Sequence, residues 1–269
     1  MVLDVVSPSV LERLRGVTTR RGRQNAGCTL LESLRLLERA LRAGVRVPIV
    51  LADREAQTER LSIALGQAKE AGSTILEAPG SVLEEFSEGR SADGVVALVE
   101  TRSFSADELF ALGSPGERLV LVAVDTKEPG NLGALCRTAL AAGATGMLVV
   151  GEGTDIWHPK ALRTSRGSVF KLPLASLPGV EEAVGVAQAA GFVAVGAVVS
   201  GGQRVGALGR HRRDRALYLG GEAHGLSDSV SETLDELVSI PMREGVDSYA
   251  VNPAAAILLH GLGPFGDRS

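Results

Sequence analysis

The spacing of apolar side chains divides this chain into two parts with different rhythms. In the first, Leu30, Leu34, Leu37 and Leu41 recur at helical spacing with Glu32, Arg35, Glu38 and Arg39 between them, which predicts an amphipathic helix. The β-branched run 45–51 predicts a strand, followed by a helix over 58–70, a strand near 73–77, a short helix near 82–86 and a strand near 94–99. Residues 101–117 are polar, hold Gly113, Pro115 and Gly116, and read as a linker with room for one helical turn at 106–112. Beyond them the apolar runs lengthen. Strands are predicted at 119–124, 146–150, 192–199, 216–219 and 237–240, with helices at 131–142, 181–190 and 253–262. Pro253 suits the first turn of the last helix. Near-continuous apolar strands separated by helices predict an α/β fold with a parallel sheet covered on both faces. Sites in such sheets form at the carboxyl ends of the strands.

Composition narrows the class. A length of 269 residues suits two domains, and 45% hydrophobic against 22% charged residues supplies a core without metals or disulfides. Cys28 and Cys136 match no ligand spacing and read as reduced thiols of a cytoplasmic protein. No apolar run reaches bilayer length, and Met1-Val2-Leu3-Asp4 does not begin a signal peptide. The net charge of −4 argues against indiscriminate polyanion binding by the whole surface. Local basic clusters remain: Arg13, Arg15, Arg20, Arg21 and Arg23 early, and Arg210, Arg212, Arg213 and Arg215 later. Alone, each is more often a solvated charge run than a nucleic-acid contact. An aromatic content of 3% leaves little for a stacking platform, which favours shape and phosphate contacts.

Three loops carry candidate chemistry. The first follows the strand 119–124, with Pro129 and Gly130 at the turn, Asn131 as a helix N-cap, and Gly133 and Arg137 on one helix face. Arg137 is expected to lean back over the bare backbone of Gly133, a suitable place for a phosphate or a developing alkoxide. The second loop reads Gly220-Gly221-Glu222-Ala223-His224-Gly225-Leu226-Ser227. Its glycines allow close approach of a ligand to the backbone, and Ser227 or Asp228 can cap the next helix. Glu222 reads as an acceptor or as an arginine's partner, and His224 as a surface side chain. The third loop, 240–249, leads into the last helix. The glycine pattern is not the dinucleotide fingerprint, and the acidic residue that should follow it is missing, which disfavours a nucleotide-dependent oxidoreductase.

In order and spacing the three loops resemble the signature motifs of the SpoU/TrmH family of RNA ribose 2′-O-methyltransferases, members of the SPOUT class. Residues 131–137, 219–227 and 240–248 carry the three motifs, 163–168 resembles the region between the first two, and the segment around Thr29-Leu30-Leu31-Glu32 resembles the family's RNA-recognition domain. The resemblance implies a parallel-sheet domain at 118–269 with a trefoil knot, a linker at 103–117, and an N-terminal α/β RNA substrate-binding domain at 1–102. It also implies a homodimer formed through the C-terminal domain, with the active site near the interface. S-adenosylmethionine is the implied cofactor, S-adenosylhomocysteine the product, structured RNA (ribosomal before transfer RNA) the partner, and no metal or membrane is called for. Arg137, Asn131 and Glu222 are the implied catalytic residues. Leu219, Gly220, Gly221, Glu222, Ile240, Met242, Tyr249 and Ala250 are expected to hold the cofactor, and Arg20, Arg21, Arg23, Arg163 and Arg166 to meet RNA.

One position departs from the family pattern. The third motif usually reads Ser-Leu-Asn, whereas this chain has Ser248-Tyr249-Ala250. A methyl group cannot replace an amide that donates and accepts hydrogen bonds. Asn252 lies two residues on and substitutes only if the backbone bends differently before Pro253. Two readings follow: an active methyltransferase, or a cofactor- or RNA-binding member with weakened or lost catalysis.

Overall fold

The computed structural model describes residues 4–56, 58–87, 93–151, 155–208, 213–222 and 224–264. Ala223 of the second loop and Arg210 and Arg212 of the later basic cluster lie outside the described residues. The chain divides into two compact units, one built from 1–102 with 157–170 and the other from 103–156 with 171–269.

The first unit runs β1 (Asp4–Val5), α1 (Pro8–Gly16), α2 (Arg20–Ala26), β2 (Cys28–Leu31), α3 (Leu34–Arg42), β3 (Ile49–Asp53), α4 (Glu59–Glu70), β4 (Thr74–Ala78), α5 (Gly80–Glu84) and β5 (Val95–Glu100). Its sheet has the order β1-β4-β3-β5-β2, with β1, β4 and β3 parallel and β5 antiparallel to both β3 and β2. The leucine periodicity that predicted a helix from Leu30 splits in two here. Leu30 lies in the fully buried strand β2, and Ser33 then caps α3 by accepting a hydrogen bond from the Leu36 amide. Thr19 and Thr58 cap α2 and α4 in the same way.

The chain continues with α6 (Ala106–Ala111), β6 (Leu119–Val124), α7 (Pro129–Ala141) and β7 (Gly146–Val150) in the second unit. It then lends α8 (Pro159–Ser165) to the first unit. There Thr29 Oγ1 donates to the Trp157 carbonyl at 2.7 Å, and Arg163 pairs with Glu32 at 2.8 Å. The second unit is completed by β8 (Leu174–Leu177), α9 (Val180–Ala189), β9 (Val193–Ala197), β10 (Gln203–Arg204), β11 (Arg215–Leu219), α10 (Asp228–Ser231), β12 (Glu236–Ser239) and α11 (Val251–Leu262). Its seven strands form one sheet of order β10-β12-β9-β11-β6-β7-β8, and every pairing is parallel. The strands β6, β7 and β11 are buried along their whole length, which is what the unbroken apolar runs require.

The stretch expected to be a linker does more than connect. A capping box between Ser105 and Glu108 starts α6, whose Ala106, Leu109 and Phe110 enter the main core. There Phe110 meets Phe192 edge-on at 4.9 Å. The helix α6 packs with α9, and α7 packs with α11. Cys28 and Cys136 are buried and unbridged, and burial pushes the Cys136 thiol up to about 12, so it behaves as a small apolar side chain. Among the described residues no helix is long and apolar enough to cross a membrane.

Candidate active site

The strand order places β9, β11 and β6 side by side, with β12 beyond β9, and the three loops leave from the carboxyl ends of β6, β11 and β12. The first loop begins at Asp125, whose left-handed backbone (φ 49°) is a conformation that aspartate tolerates better than most side chains. The second loop lies against it. A Cβ on Gly221 would fall 2.6 Å from the Asp125 carbonyl oxygen, so only glycine lets the two backbones touch. Gly220 is equally constrained, because a Cβ there would meet the Gly225 carbonyl carbon at 2.0 Å. The Gly225 amide closes this tight loop by donating to the Gly221 carbonyl at 2.9 Å.

A cavity of about 340 Å³ opens beside these glycines. Of the residues expected to hold the cofactor, Leu219, Gly220, Gly221, Glu222, Ile240, Met242 and Tyr249 all line it. Ala250 does not; it is the N-cap of α11 and makes no side-chain capping bond. Sequence reasoning missed part of the wall. Ala197, Val198 and Val199 at the end of β9, His224 and Gly225, Asp247 and Ser248, and Val251, Ala254 and Leu258 of α11 also line the cavity. The rule that sites form at strand carboxyl ends would have found 197–199 had the place of β9 beside β11 been known.

One hydrogen-bonded chain links the first and second loops with the start of α11, the helix that follows the third loop. Asn131 Nδ2 donates to Glu222 Oε1 at 2.5 Å, and Asn252 Nδ2 donates to Asn131 Oδ1 at 3.2 Å. Asn131 is not the N-cap it was expected to be. Glu128 is the cap, accepting from the Asn131 amide at 2.9 Å, which frees the asparagine side chain to bridge the loops. Both asparagines sit in the first turn of a helix, so the Glu222 carboxylate reaches toward the positive end of α7. Sequence reasoning singles out Asn131 and Glu222 and sets Asn252 aside; only the tertiary contact brings it in.

The remaining expected residues are placed less uniformly. Arg137 is exposed on α7, does not line the cavity, and among the described residues makes no hydrogen bond or ion pair. Gly133, expected to lie beneath it, is buried. Arg20 and Arg21 are exposed at the start of α2. Arg23 is 3% exposed and donates to the carbonyls of Val17 and Thr18, at 3.2 and 2.8 Å, so it ties down the α1–α2 turn and does not face outward. Arg163 pairs with Glu32, while Arg166 is exposed in a left-handed C-cap, where Arg39 donates to its carbonyl oxygen.

A doubly covered parallel sheet with three converging loops and a glycine-floored cavity defines a class of small-molecule-dependent enzyme. The chain belongs to the SpoU rRNA Methylase family, whose pattern matches residues 118–260. Residues 10–97 match the MRM3-like substrate binding domain. In sequence the chain is 30% identical, over 244 residues, to the 23S rRNA (uridine(2479)-2'-O)-methyltransferase of Streptomyces viridochromogenes, covering 89% of this chain and 84% of that one. In structure it is similar to the AdoMet-bound rRNA methyltransferase from Sinorhizobium meliloti, with a TM-score of 0.83, 25% identity and 96% of each chain covered. It is also similar to the SpoU methyltransferase AviRb from Streptomyces viridochromogenes in complex with AdoMet, with a TM-score of 0.82 and 28% identity, covering 95% of this chain and 97% of that one.

Proposed function

We propose that this chain transfers the methyl group of S-adenosylmethionine to a ribose 2′-hydroxyl of structured RNA, with ribosomal RNA favoured over transfer RNA. The reading is carried by the hydrogen-bonded chain Glu222–Asn131–Asn252, which ties the first and second loops to the first turn of α11 beside the cavity. The cavity fits the donor. Its volume lies within the range of about 300–1,000 Å³ for small-molecule sites, Leu219, Ile240 and Met242 offer apolar wall, and Gly220 and Gly221 leave the backbone open. Ala250, beside the wall, would contribute backbone only.

When bound, S-adenosylmethionine supplies an electrophilic methyl carbon on a sulfonium leaving group and departs as S-adenosylhomocysteine, a chemistry that calls for no metal. The protein's task is to align the 2′-oxygen and to let its proton go. Arg137 is a fixed cation rather than a base. Exposed on α7, it binds the adjoining RNA phosphate and steadies the charge developing on the oxygen, and the proton passes to that phosphate or to water. Asn131 and Glu222 hold the loop geometry around it.

Residues 1–102, with the returning segment 157–170, take the RNA, and the C-terminal domain holds the methyl donor, with 103–117 connecting them. Arg20, Arg21 and Arg166 contact phosphates, Arg163 is held by its ion pair with Glu32, and Arg23 braces the turn that presents the first two. The C-terminal segment carries the family's trefoil knot, and a second copy covers the exposed apolar residues Val246, Tyr249 and Ile257, giving a cytoplasmic homodimer.

The test uses methyl-tritiated S-adenosylmethionine and total RNA, followed by mapping of 2′-O-methyl positions, with calorimetry of S-adenosylmethionine binding alongside. Transfer to ribose 2′-oxygens is the expected result. Binding without transfer would instead identify a family member whose chemistry was lost at Ala250.

A further inference from the structure

Asn131 sits between two partners, and the chemistry of one dictates the orientation of the other. The Glu222 carboxylate only accepts hydrogen bonds, so Asn131 must turn its Nδ2 toward it. Its Oδ1 is thereby fixed toward Asn252, which must present an N–H in turn. Exchanging nitrogen and oxygen at Asn252 would set two carbonyl oxygens against each other. The Asn131 backbone is held separately by Glu128, so removing the Asn252 amide would leave the Asn131 side chain held from the Glu222 side alone, with the helix start in place.

Two further observations separate this hydrogen bond from ordinary packing. Ala250 makes no capping bond at the start of α11, so the amide missing there is not replaced at that position. The Oδ1 atom of Asn252 is buried and has no hydrogen-bond partner among the described residues. A buried acceptor left unpaired costs stability, a cost that folded chains tolerate at functional sites.

We infer that Asn252 is a positioning residue of the methyl-transfer site: from the first turn of α11 it orients Asn131, and through it Glu222, in place of the asparagine absent at 250. The inference rests on the function proposed above. Asn252→Ala removes the donor, and Asn252→Asp keeps the shape but sets a second carboxylate against Asn131. Both variants should fold and bind S-adenosylmethionine with affinity within about threefold of the unmodified chain, while kcat falls by about ten- to a hundredfold. Asn252→Asp should be at least as impaired as Asn252→Ala. The double variant Asn131→Ala/Asn252→Ala should lose no more turnover than Asn131→Ala alone, because the two act as one unit. Turnover of the single variants within threefold of the unmodified chain, an active Asn252→Asp beside an impaired Asn252→Ala, or losses that multiply in the double variant would each overturn the inference. If the unmodified chain transfers no methyl group to RNA, the proposed function falls and the inference falls with it. If it transfers and the Asn252 variants do too, the inference falls alone.

Discussion

Arg118 and Asp214 form a nearly buried ion pair at 2.6 Å, with side-chain exposures of 13% and 9%, at the amino ends of the adjacent strands β6 and β11. Asp214 also accepts from the backbone amides of Gly116 and Arg118, at 2.8 and 2.9 Å, and Arg118 lies over the Phe192 ring. These contacts secure the register in which Arg215 faces Leu119. Roughly 17 Å further on, at about 3.3 Å per residue, the same two strands release the first and second loops. A slip of one residue here would turn each inward side chain outward and pull Gly221 away from Asp125.

Asp214→Asn should therefore cost about 3–5 kcal/mol at neutral pH, the range for breaking one side of a buried pair, as read from urea unfolding. Burial alone would raise the Asp214 carboxyl, but hydrogen bonds from the Arg118 guanidinium and from the two amides outweigh it and hold the group below its usual range. The sign follows. A depressed carboxyl stabilises the fold fully above its unfolded value of about 3.9 and loses that contribution as pH falls through its folded value. The stability gap between the unmodified chain and the variant should be widest at about pH 6–7, begin to narrow near about pH 3.9 and close only below the depressed folded value. A gap that stayed constant down to pH 2 would exclude the ion pair as its source.

Gly221→Ala tests whether the meeting of two loops makes the cavity. Its new Cβ would lie 2.6 Å from the Asp125 carbonyl oxygen, far inside van der Waals distance, and the obstacle is backbone that no rotamer change can move. The second loop must shift, and it forms part of the cavity wall. S-adenosylmethionine affinity measured by calorimetry should fall by at least about tenfold, equivalent to 1.4 kcal/mol, while the melting temperature moves little. Unaltered affinity would mean that the second loop does not shape the binding wall.

Much of this architecture is legible in the amino-acid sequence, and the gaps have physical causes. The strands β6 and β7 can be read to the residue because a strand buried on both faces has no polar interruption to blur its ends. Leu30 reads as helical because a leucine four residues before Leu34 fits either period; the Ser33 cap and the pairing of β2 with β5 decide the matter. The helical turn expected at 106–112 is α6, but its place in the core is hidden because flanking glycines and proline make the segment around it read as a linker. At the site, glycines and motif spacing identify the part of the wall that the second and third loops supply, and miss what β9 and α11 add. Asn252 reads only as a conditional substitute for the asparagine missing at 250, since its contact is with a partner 121 residues away. Arg23 looks like its neighbours in sequence, and only burial separates it from Arg20 and Arg21.

That separation makes a prediction about RNA. Arg20→Ala/Arg21→Ala should weaken RNA binding and reduce the slope of log affinity against log salt by about 0.7–0.9 for each phosphate no longer neutralised, with S-adenosylmethionine affinity unchanged. Arg23→Ala should instead destabilise the N-terminal unit, because the carbonyls of Val17 and Thr18 would be left without their donor. Filter binding across a salt series and thermal unfolding distinguish the two outcomes. A melting temperature lowered equally in both variants would mean that none of these arginines acts on RNA directly.

Arg137 provides the sharpest test of the proposed chemistry. It is exposed on α7, outside the cavity wall, and among the described residues it has no partner, so its removal should leave the fold and the donor site intact. If its charge steadies the 2′-oxygen as the proton departs, Arg137→Ala should reduce kcat by about a hundred- to a thousandfold, the usual cost of removing one donor to a developing oxyanion. S-adenosylmethionine binding should be unchanged. Arg137→Lys keeps the charge but not the planar fork, and should recover only part of the loss. The decisive comparison is single-turnover transfer at saturating RNA, where a defect in RNA binding is masked and a defect in the chemical step is not. Full activity of Arg137→Ala under those conditions would remove the guanidinium from the reaction and leave it, at most, a phosphate contact.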